Sequence, residues 1–171
     1  MGTFFRFISF LLVIFVIIFL MSLLLPSRVT VVKSIEINAT REKVMNQIAN
    51  FEEWKNWYPA FKDENITVIK HPLKTSSVTL ENKKGKTITL NLEYSNQNTI
   101  NIQLISSSST KVNYQFILIP KMNNKTELIW NINIHLGWLP WKKIEGILLD
   151  KFSGNQYETA LDNLRKAAEN N

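Results

Sequence analysis

The chain has 171 residues, of which 45% are hydrophobic, and it contains no cysteine. This length suits one domain with an appendage rather than two domains, and the lack of cysteine excludes a disulfide framework, a thiolate nucleophile and cysteine-based zinc sites. Its 20 Lys and Arg against 14 Asp and Glu give a net charge of +6, a mild excess without the basic, aromatic-interleaved stripe of nucleic-acid-binding proteins. We therefore expect no nucleic-acid partner.

The N-terminal segment is apolar enough to cross a membrane. Between residues 7 and 25 the only polar side chains are Ser9 and Ser22, and a helix needs roughly twenty apolar residues to span the hydrocarbon core. No small-x-small cleavage site of the kind that ends a signal peptide follows the run. Residues 1–27 are therefore predicted to be an uncleaved, single-pass membrane anchor, and residues 28–171 a separate domain.

The charges that flank this segment bear on its orientation. Arg6 and the amino terminus favour a cytoplasmic N-terminus, whereas Arg28 and Lys33 favour a cytoplasmic domain. The positive-inside rule is therefore nearly balanced between the two orientations. A very short tail that carries Arg6 is readily retained inside the cell. We therefore expect the domain to lie on the extracytoplasmic side.

One strand and two short helices follow the anchor. Residues 29–37 alternate apolar with polar, which predicts a strand. Thr40 is a candidate N-cap for a short helix that ends near Asn50. Asn50 with Glu53 resembles a capping box, so a second short helix is predicted there. That helix must end before Pro59, because the residue ahead of a proline avoids helical geometry.

Most of the chain between residues 66 and 136 alternates apolar with polar positions, as strands with one buried face do. Turn signals such as Asn123-Asn124 separate the segments, and connections this short make neighbouring strands antiparallel. With the first strand, the sequence therefore predicts a sheet of seven strands. The six segments of the meander are 66–70, 77–82, 87–94, 99–106, 111–120 and 126–136.

The last segment predicts a long helix that begins near Pro140. Its apolar residues are spaced by three and four, so they share one side of the helix. The stripe slips by one residue at 153–155, where we expect a kink or break. The simplest assembly is an α+β fold in which this helix lies across the concave face of a curved antiparallel sheet. The stripe consists of Ile144, Ile147, Leu148, Phe152, Tyr157, Leu161, Leu164 and Ala168.

In order and motifs, the chain resembles the START-like superfamily, also called SRPBCC, which includes polyketide cyclases and lipid-transfer domains. The resemblance rests on residues 32–39 running into Val44, on residues 51–59 (FEEWKNWYP), and on residues 154–158 leading to 161–164. It covers about residues 29–169. It implies a helix-grip fold, with an elongated cavity between the terminal helix and the sheet that commonly takes hydrophobic ligands.

The alternation also predicts which residues face the helix. Tyrosine hydroxyls and one indole N–H are the polar groups on the inner face of the strands, whereas His135 falls on the outer face. A general acid or base needs a titratable side chain inside the site, so we name no catalytic residue, and no metal or cofactor is expected. Pocket candidates are Tyr94, Tyr114, Phe116, Trp130, Ile132, Ile134, Leu148 and Phe152.

The sequence therefore favours a membrane-anchored domain that binds a hydrophobic small molecule or lipid. A cyclase or dehydratase in which a tyrosine or His135 moves a proton is one alternative. A module that binds a protein partner is another. The sequence leaves the ligand and the oligomeric state open.

Overall fold

The computed structural model describes residues 2–24, 26–62, 67–70, 77–81, 87–106, 111–136 and 139–170. Within these ranges, side chains are described except at 2–3, 67–70, 80–81, 94, 140, 142 and 144–154. The helices are α1 (Gly2–Leu23), α2 (Arg41–Ala49), α3 (Trp54–Trp57) and α4 (Pro140–Asn170). The strands are β1 (Arg28–Ile37), β2 (Thr67–Lys70), β3 (Ser77–Glu81), β4 (Thr87–Ser95), β5 (Thr99–Ser106), β6 (Lys111–Lys121) and β7 (Lys125–His135).

Helix α1 has the length and composition of a membrane span or a signal sequence. Its apolar stretch runs for 20 residues from Phe4 to Leu23 and is not buried against the rest of the chain. The end of the helix contacts the domain. Lys143 Nζ donates a hydrogen bond of 2.8 Å to the carbonyl oxygen of Ser22, and Leu136 N–H donates one to Ser27 O over an N···O distance of 3.0 Å. The predicted N-terminal apolar helix is confirmed.

The strands form one antiparallel sheet in the order β1-β7-β6-β5-β4-β3-β2. Strands β2 to β7 are a meander, and β1 pairs with β7. The register is continuous across β5, β6 and β7, where Tyr114 lies opposite both Ile102 and Ile132. It shifts once, between Leu92 and Tyr94, where an irregularity in β4 pairs Tyr94 with Asn101. A shift of this kind disturbs the alternation of side chains along the strand.

Apolar residues alternate with more exposed ones along β5, β6 and β7, as predicted. Because one face of the sheet is covered, every second residue is removed from water, and a slip by one residue would expose the whole apolar set. The predicted inward-facing residues of these strands are confirmed as buried. They are Ile100, Ile102, Leu104, Val112, Tyr114, Phe116, Leu118, Leu128, Trp130, Ile132 and Ile134.

The two predicted helix starts after β1 are confirmed, but with different capping contacts. Thr40 precedes α2 without a side-chain capping hydrogen bond. Asn50 Oδ1 accepts the backbone N–H of Glu52 and so begins a helical turn that leads into α3. The predicted capping box is wrong, because the Glu53 carboxylate accepts from Asn56 Nδ2 at 2.7 Å.

Helix α4 is one continuous element. Of the kink or break predicted at residues 153–155, the break is therefore wrong, and the kink stays a prediction. The hydrogen-bonded helix continues through the slip in its apolar stripe. Its C-terminal half packs through Tyr157, Leu161, Leu164 and Ala168, which are all buried. Glu158 also pairs with Lys33 Nζ at 2.7 Å. The α+β helix-grip architecture, with a terminal helix across an antiparallel sheet, is confirmed.

Candidate functional site

Aromatic side chains fill the space between the sheet and the C-terminal half of α4. The ring of Trp130 lies at the centre, with the ring centroids of Phe116, Tyr114 and Tyr157 at 5.0, 5.1 and 5.3 Å. Such spacings are those of stacked and edge-to-face aromatic contacts. This part of the domain is therefore a packed core rather than a cavity.

Two further tryptophans close the same end of the core. Trp54 and Trp57 of α3 are fully buried, and their ring centroids are 4.6 Å apart. Their indole N–H groups donate to the carbonyl oxygens of Ile48, at 2.8 Å, and Gln47, at 3.1 Å. The short helices are thereby tied to each other as well as to the sheet.

Three tyrosine hydroxyls meet at the edge of this aromatic core. The hydroxyl oxygens of Tyr58 and Tyr114 are 2.8 Å apart, and Tyr157 also hydrogen-bonds to Tyr114. Burial raises the pKa of the Tyr114 hydroxyl well above its usual value, and the neighbouring Tyr58 and Tyr157 hydroxyls raise it further. Burial also raises the pKa of Tyr58. The two groups therefore remain protonated at neutral pH, so they act as hydrogen-bonding groups rather than as bases.

The indole of Trp130 adds a donor beside these hydroxyls. Its side chain is fully buried, and its Nε1 has no hydrogen-bond partner in the described part of the chain. Leaving a buried donor unpaired costs about 1–3 kcal/mol. An oxygen atom of a bound molecule is one group that would satisfy it.

The inner face becomes less tightly covered toward the end of the sheet where α4 begins. Phe116 and Trp130 are fully buried, whereas Val112 and Leu104 each keep 8% of their surface exposed and Leu136 keeps 6%. Cross-strand register places Val112 beside Leu104 on one side and Ile134 on the other. Helix α4 begins five residues after the end of β7 and contacts Trp130 through Tyr157.

The structure brings five of the predicted pocket residues together on the inner face. Tyr114, Phe116, Trp130 and Ile132 belong to the packed middle of the sheet, and Ile134 belongs to the aliphatic end. The side chains of the other candidates, Tyr94, Leu148 and Phe152, lie outside the described residues. The backbone of Tyr94 follows the register shift in β4, so alternation alone does not assign it to a face.

Sequence reasoning missed Tyr58 and Tyr157 as site residues. Each lies far along the chain from Tyr114, and no local pattern marks a contact between them. The signals available were the position of Tyr58 inside the motif at residues 51–59 and the place of Tyr157 in the apolar stripe of α4. Both signals predict burial, but neither predicts which hydroxyls meet.

His135 does not belong to this cluster of hydroxyls. His135 is exposed at the end of β7, so it does not face the aromatic core. No group of three or more His, Cys, Asp or Glu within the described ranges is placed to hold a metal ion. Among the residues whose side chains the structure describes, the buried polar groups around Trp130 are therefore neutral hydroxyls and its own indole N–H.

A helix that grips a curved antiparallel sheet, with an apolar inner face and buried neutral donors, defines a START-like domain of the ligand-binding SRPBCC type. The chain belongs to the family described as "Polyketide cyclase / dehydrase and lipid transport", whose model matches residues 28–169. A search of curated proteins found no match.

Solved structures share the fold at low sequence identity. A START superfamily protein from Mycobacterium smegmatis is 20% identical, with 82% of this chain and 97% of that chain covered and a TM-score of 0.62. The ZhuI aromatase/cyclase from a Streptomyces species is 12% identical, with 83% and 94% covered and a TM-score of 0.60. A protein of unknown function from Staphylococcus aureus is 13% identical, with 84% and 96% covered and a TM-score of 0.59. These likenesses show the fold alone.

Proposed function

We propose that this protein is a membrane-anchored START-like domain that binds a hydrophobic small molecule or lipid between α4 and the sheet. The observation that carries the proposal is the division of the inner face into two parts. One part is packed with aromatic rings, and the other is an aliphatic wall whose residues are buried but keep 4–8% of their surface exposed. At the boundary between the two parts, Tyr114 follows Val112 by two residues on β6, and its ring centroid is 5.1 Å from that of Trp130.

The residues at this boundary indicate what kind of ligand would bind. Leu104, Val112 and Ile134 offer an aliphatic wall that suits an apolar body. Tyr114 lies two residues from Val112 along β6, and the indole N–H of Trp130 lies on the neighbouring strand. A protonated hydroxyl and a free N–H both donate hydrogen bonds. We therefore expect a ligand with a long apolar part and an oxygen acceptor at one end.

Native mass spectrometry of the detergent-extracted, full-length chain tests this proposal directly. We expect one lipid-sized ligand that stays bound after the micelle is removed. Val112→Trp fills the aliphatic end and should reduce the bound fraction at least about tenfold, because added volume must displace the guest. Ile117→Trp places the same side chain on the outer face of β6 and should leave ligand binding unchanged.

The fold of each variant is checked by near-ultraviolet circular dichroism. Val112→Phe adds less volume, and it replaces Val112→Trp in the binding test if Val112→Trp does not fold. A wild-type chain that carries no ligand, or a Val112→Phe chain that folds and binds as the wild type does, contradicts the proposed site.

The anchor is the second part of the proposal. Supporting it are the unburied apolar helix α1 and the contacts from Ser22 and Ser27 to the domain. The intact mass of the purified chain distinguishes a retained span from a signal sequence that has been removed. We assign residues 1–27 to this anchor and residues 28–171 to the domain, which we place on the extracytoplasmic side.

A single introduced cysteine tests the topology. Met122 lies in the turn between β6 and β7 and is 89% exposed, and the natural chain has no cysteine. We expect Met122→Cys to react with a membrane-impermeant maleimide in intact cells, while the cysteine-free parent does not react. Labelling that requires cell lysis would place the domain in the cytoplasm.

A further inference from the structure

Three basic side chains form a row across the outer face of the sheet. Cross-strand register places Arg28 of β1 opposite His135 of β7, and His135 opposite Lys111 of β6. All three residues are exposed. Side chains directly opposite one another in an antiparallel pair have Cβ atoms about 4.5–5.5 Å apart, so His135 lies between the two charged side chains. Arg28 and Lys111 therefore place two positive charges at this end of the outer face, one on each side of His135.

The cations of this row differ from those at the opposite end of the same strands. There, Lys121 pairs with Glu127 and Lys125 pairs with Glu36, each at 2.7 Å. Neither Arg28 nor Lys111 forms an ion pair with any residue that the structure describes. One end of this outer face is thus internally neutralised, whereas the other end is left available to an external anion.

The basic row lies beside the end of α1. Arg28 follows Leu23, the last residue of α1, by five positions, and five extended residues span at most about 17 Å. Leu136, the residue after His135, donates its N–H to Ser27 O at 3.0 Å. This contact fixes the end of β7 next to the segment that leaves α1.

Two more features mark the same end of the domain. Lys143 donates from its Nζ to Ser22 O at 2.8 Å, which places a cation at the carbonyl end of α1, where the helix dipole favours it. Trp141 is 56% exposed at the start of α4, and indole rings are enriched at the membrane–water interface. A bilayer that contains α1 would present its headgroups at this level.

From this arrangement, we propose that the row Arg28–His135–Lys111 binds the phosphate groups of anionic phospholipids in the leaflet from which the domain emerges. The inference rests on the membrane anchoring proposed above. The row would hold the outer sheet face against the bilayer and would fix the tilt of the domain. The end of the inner face with residual exposure, at Val112 and Leu136, would then lie next to the headgroups.

Lipid selectivity of the full-length chain tests this inference. The protein is reconstituted in nanodiscs of phosphatidylcholine with a minority of phosphatidylglycerol, and electron paramagnetic resonance of spin-labelled lipids compares the two association constants. We expect each of Arg28 and Lys111 to raise the association constant for phosphatidylglycerol about fivefold relative to that for phosphatidylcholine. The reason is the usual attraction of a basic residue to an anionic surface. Arg28→Gln/Lys111→Gln should remove that preference.

The matched control is Lys121→Gln/Lys125→Gln, which removes the same charge from the far end of the same face and should keep the selectivity. Arg6 is present in every variant, so its contribution cancels. Raising the salt to about 1 M, where the Debye length is about 3 Å, should reduce the preference of the wild type. Inorganic phosphate at millimolar concentration should not compete; competition would identify a free-anion site instead of a lipid contact.

Equal selectivity in the two double variants, or no preference in the wild type, would overturn the inference. Failure of the anchor is measured separately. A chain that carbonate extraction removes from vesicles is not an integral membrane protein, whatever its lipid preference. If the ligand pocket is wrong, the evidence appears only in the native mass spectrum, where the protein released from the micelle carries no ligand.

Discussion

Replacing Trp54 by alanine is expected to lower the free energy of unfolding by about 3–5 kcal/mol, the usual cost of deleting a buried tryptophan from a core. Trp54 is fully buried and packs against the rings of Trp57 and Tyr58 at centroid distances of 4.6 and 5.4 Å. The substitution also removes the hydrogen bond from its indole to the carbonyl oxygen of Ile48. Urea denaturation of the full-length chain in detergent, followed by far-ultraviolet circular dichroism, measures the change.

Trp141→Ala is the matched control, because it removes the same side chain from an exposed position. Surface substitutions of this kind usually change stability by less than about 0.5 kcal/mol. We therefore expect Trp141→Ala to unfold near the wild-type urea concentration in detergent. If both variants lose the same stability, the aromatic cluster is not the core that supports the two short helices.

The strand pattern was predictable because burial of one sheet face imposes a period of two on the sequence. Strand β5 begins and ends at the predicted residues, Thr99 and Ser106, and β6 and β7 differ from their predicted ranges by one residue at some ends. In each case, apolar side chains alternate until a turn signal interrupts them. The fold followed from this pattern together with the motifs that resemble the START-like superfamily.

Features that depend on contacts between distant residues were not predictable in the same way. The register shift after Leu92 leaves no local signal in a strand that continues to alternate. Continuity of α4 through residues 153–155 cannot be predicted from a slip in its apolar stripe. Such a slip is compatible with either a break or a helix that changes partners.

The candidate site shows the same limit. Alternation placed Tyr114 and Trp130 on the inner face, but the contact of Tyr114 with Tyr58 joins residues that are 56 positions apart. The buried Lys143 is a second example. Its Nζ donates to the carbonyl oxygen of Ser22, 121 positions away, at the end of α1, and no local pattern marks this contact.

Raising the pH above about 10 is expected to destabilise the domain steeply, because the fold keeps the Tyr114 hydroxyl protonated. A tyrosine in the unfolded chain has a pKa of about 10, whereas burial raises the pKa of Tyr114 in the folded chain. Above pH 10 the unfolded state binds fewer protons than the folded state, so the free energy of unfolding falls as the pH rises. The stability is fully present below the unfolded pKa and is lost as the pH rises toward the folded pKa.

For one such group the loss is about 1.4 kcal/mol per pH unit. Tyr58 adds to the slope because burial raises its pKa as well. Urea denaturation of the full-length chain at pH 8, 10 and 11 measures the slope. Deprotonation of lysines affects the wild type and a Tyr114→Phe variant alike. The difference between their free energies of unfolding therefore isolates the contribution of the tyrosine.

Tyr114→Phe separates the two effects of this hydroxyl. At pH 8 the substitution should cost about 1–2 kcal/mol, because the Tyr58 hydroxyl loses its partner within the core. Above pH 10 the variant should lose stability more slowly than the wild type, by about 1.4 kcal/mol per pH unit, so the two curves converge and then cross. Parallel curves would mean that the Tyr114 hydroxyl ionises as freely in the folded chain as in the unfolded one. In that case the hydroxyls would be accessible to water, and the neutral donors proposed to bind the polar end of the ligand would be absent.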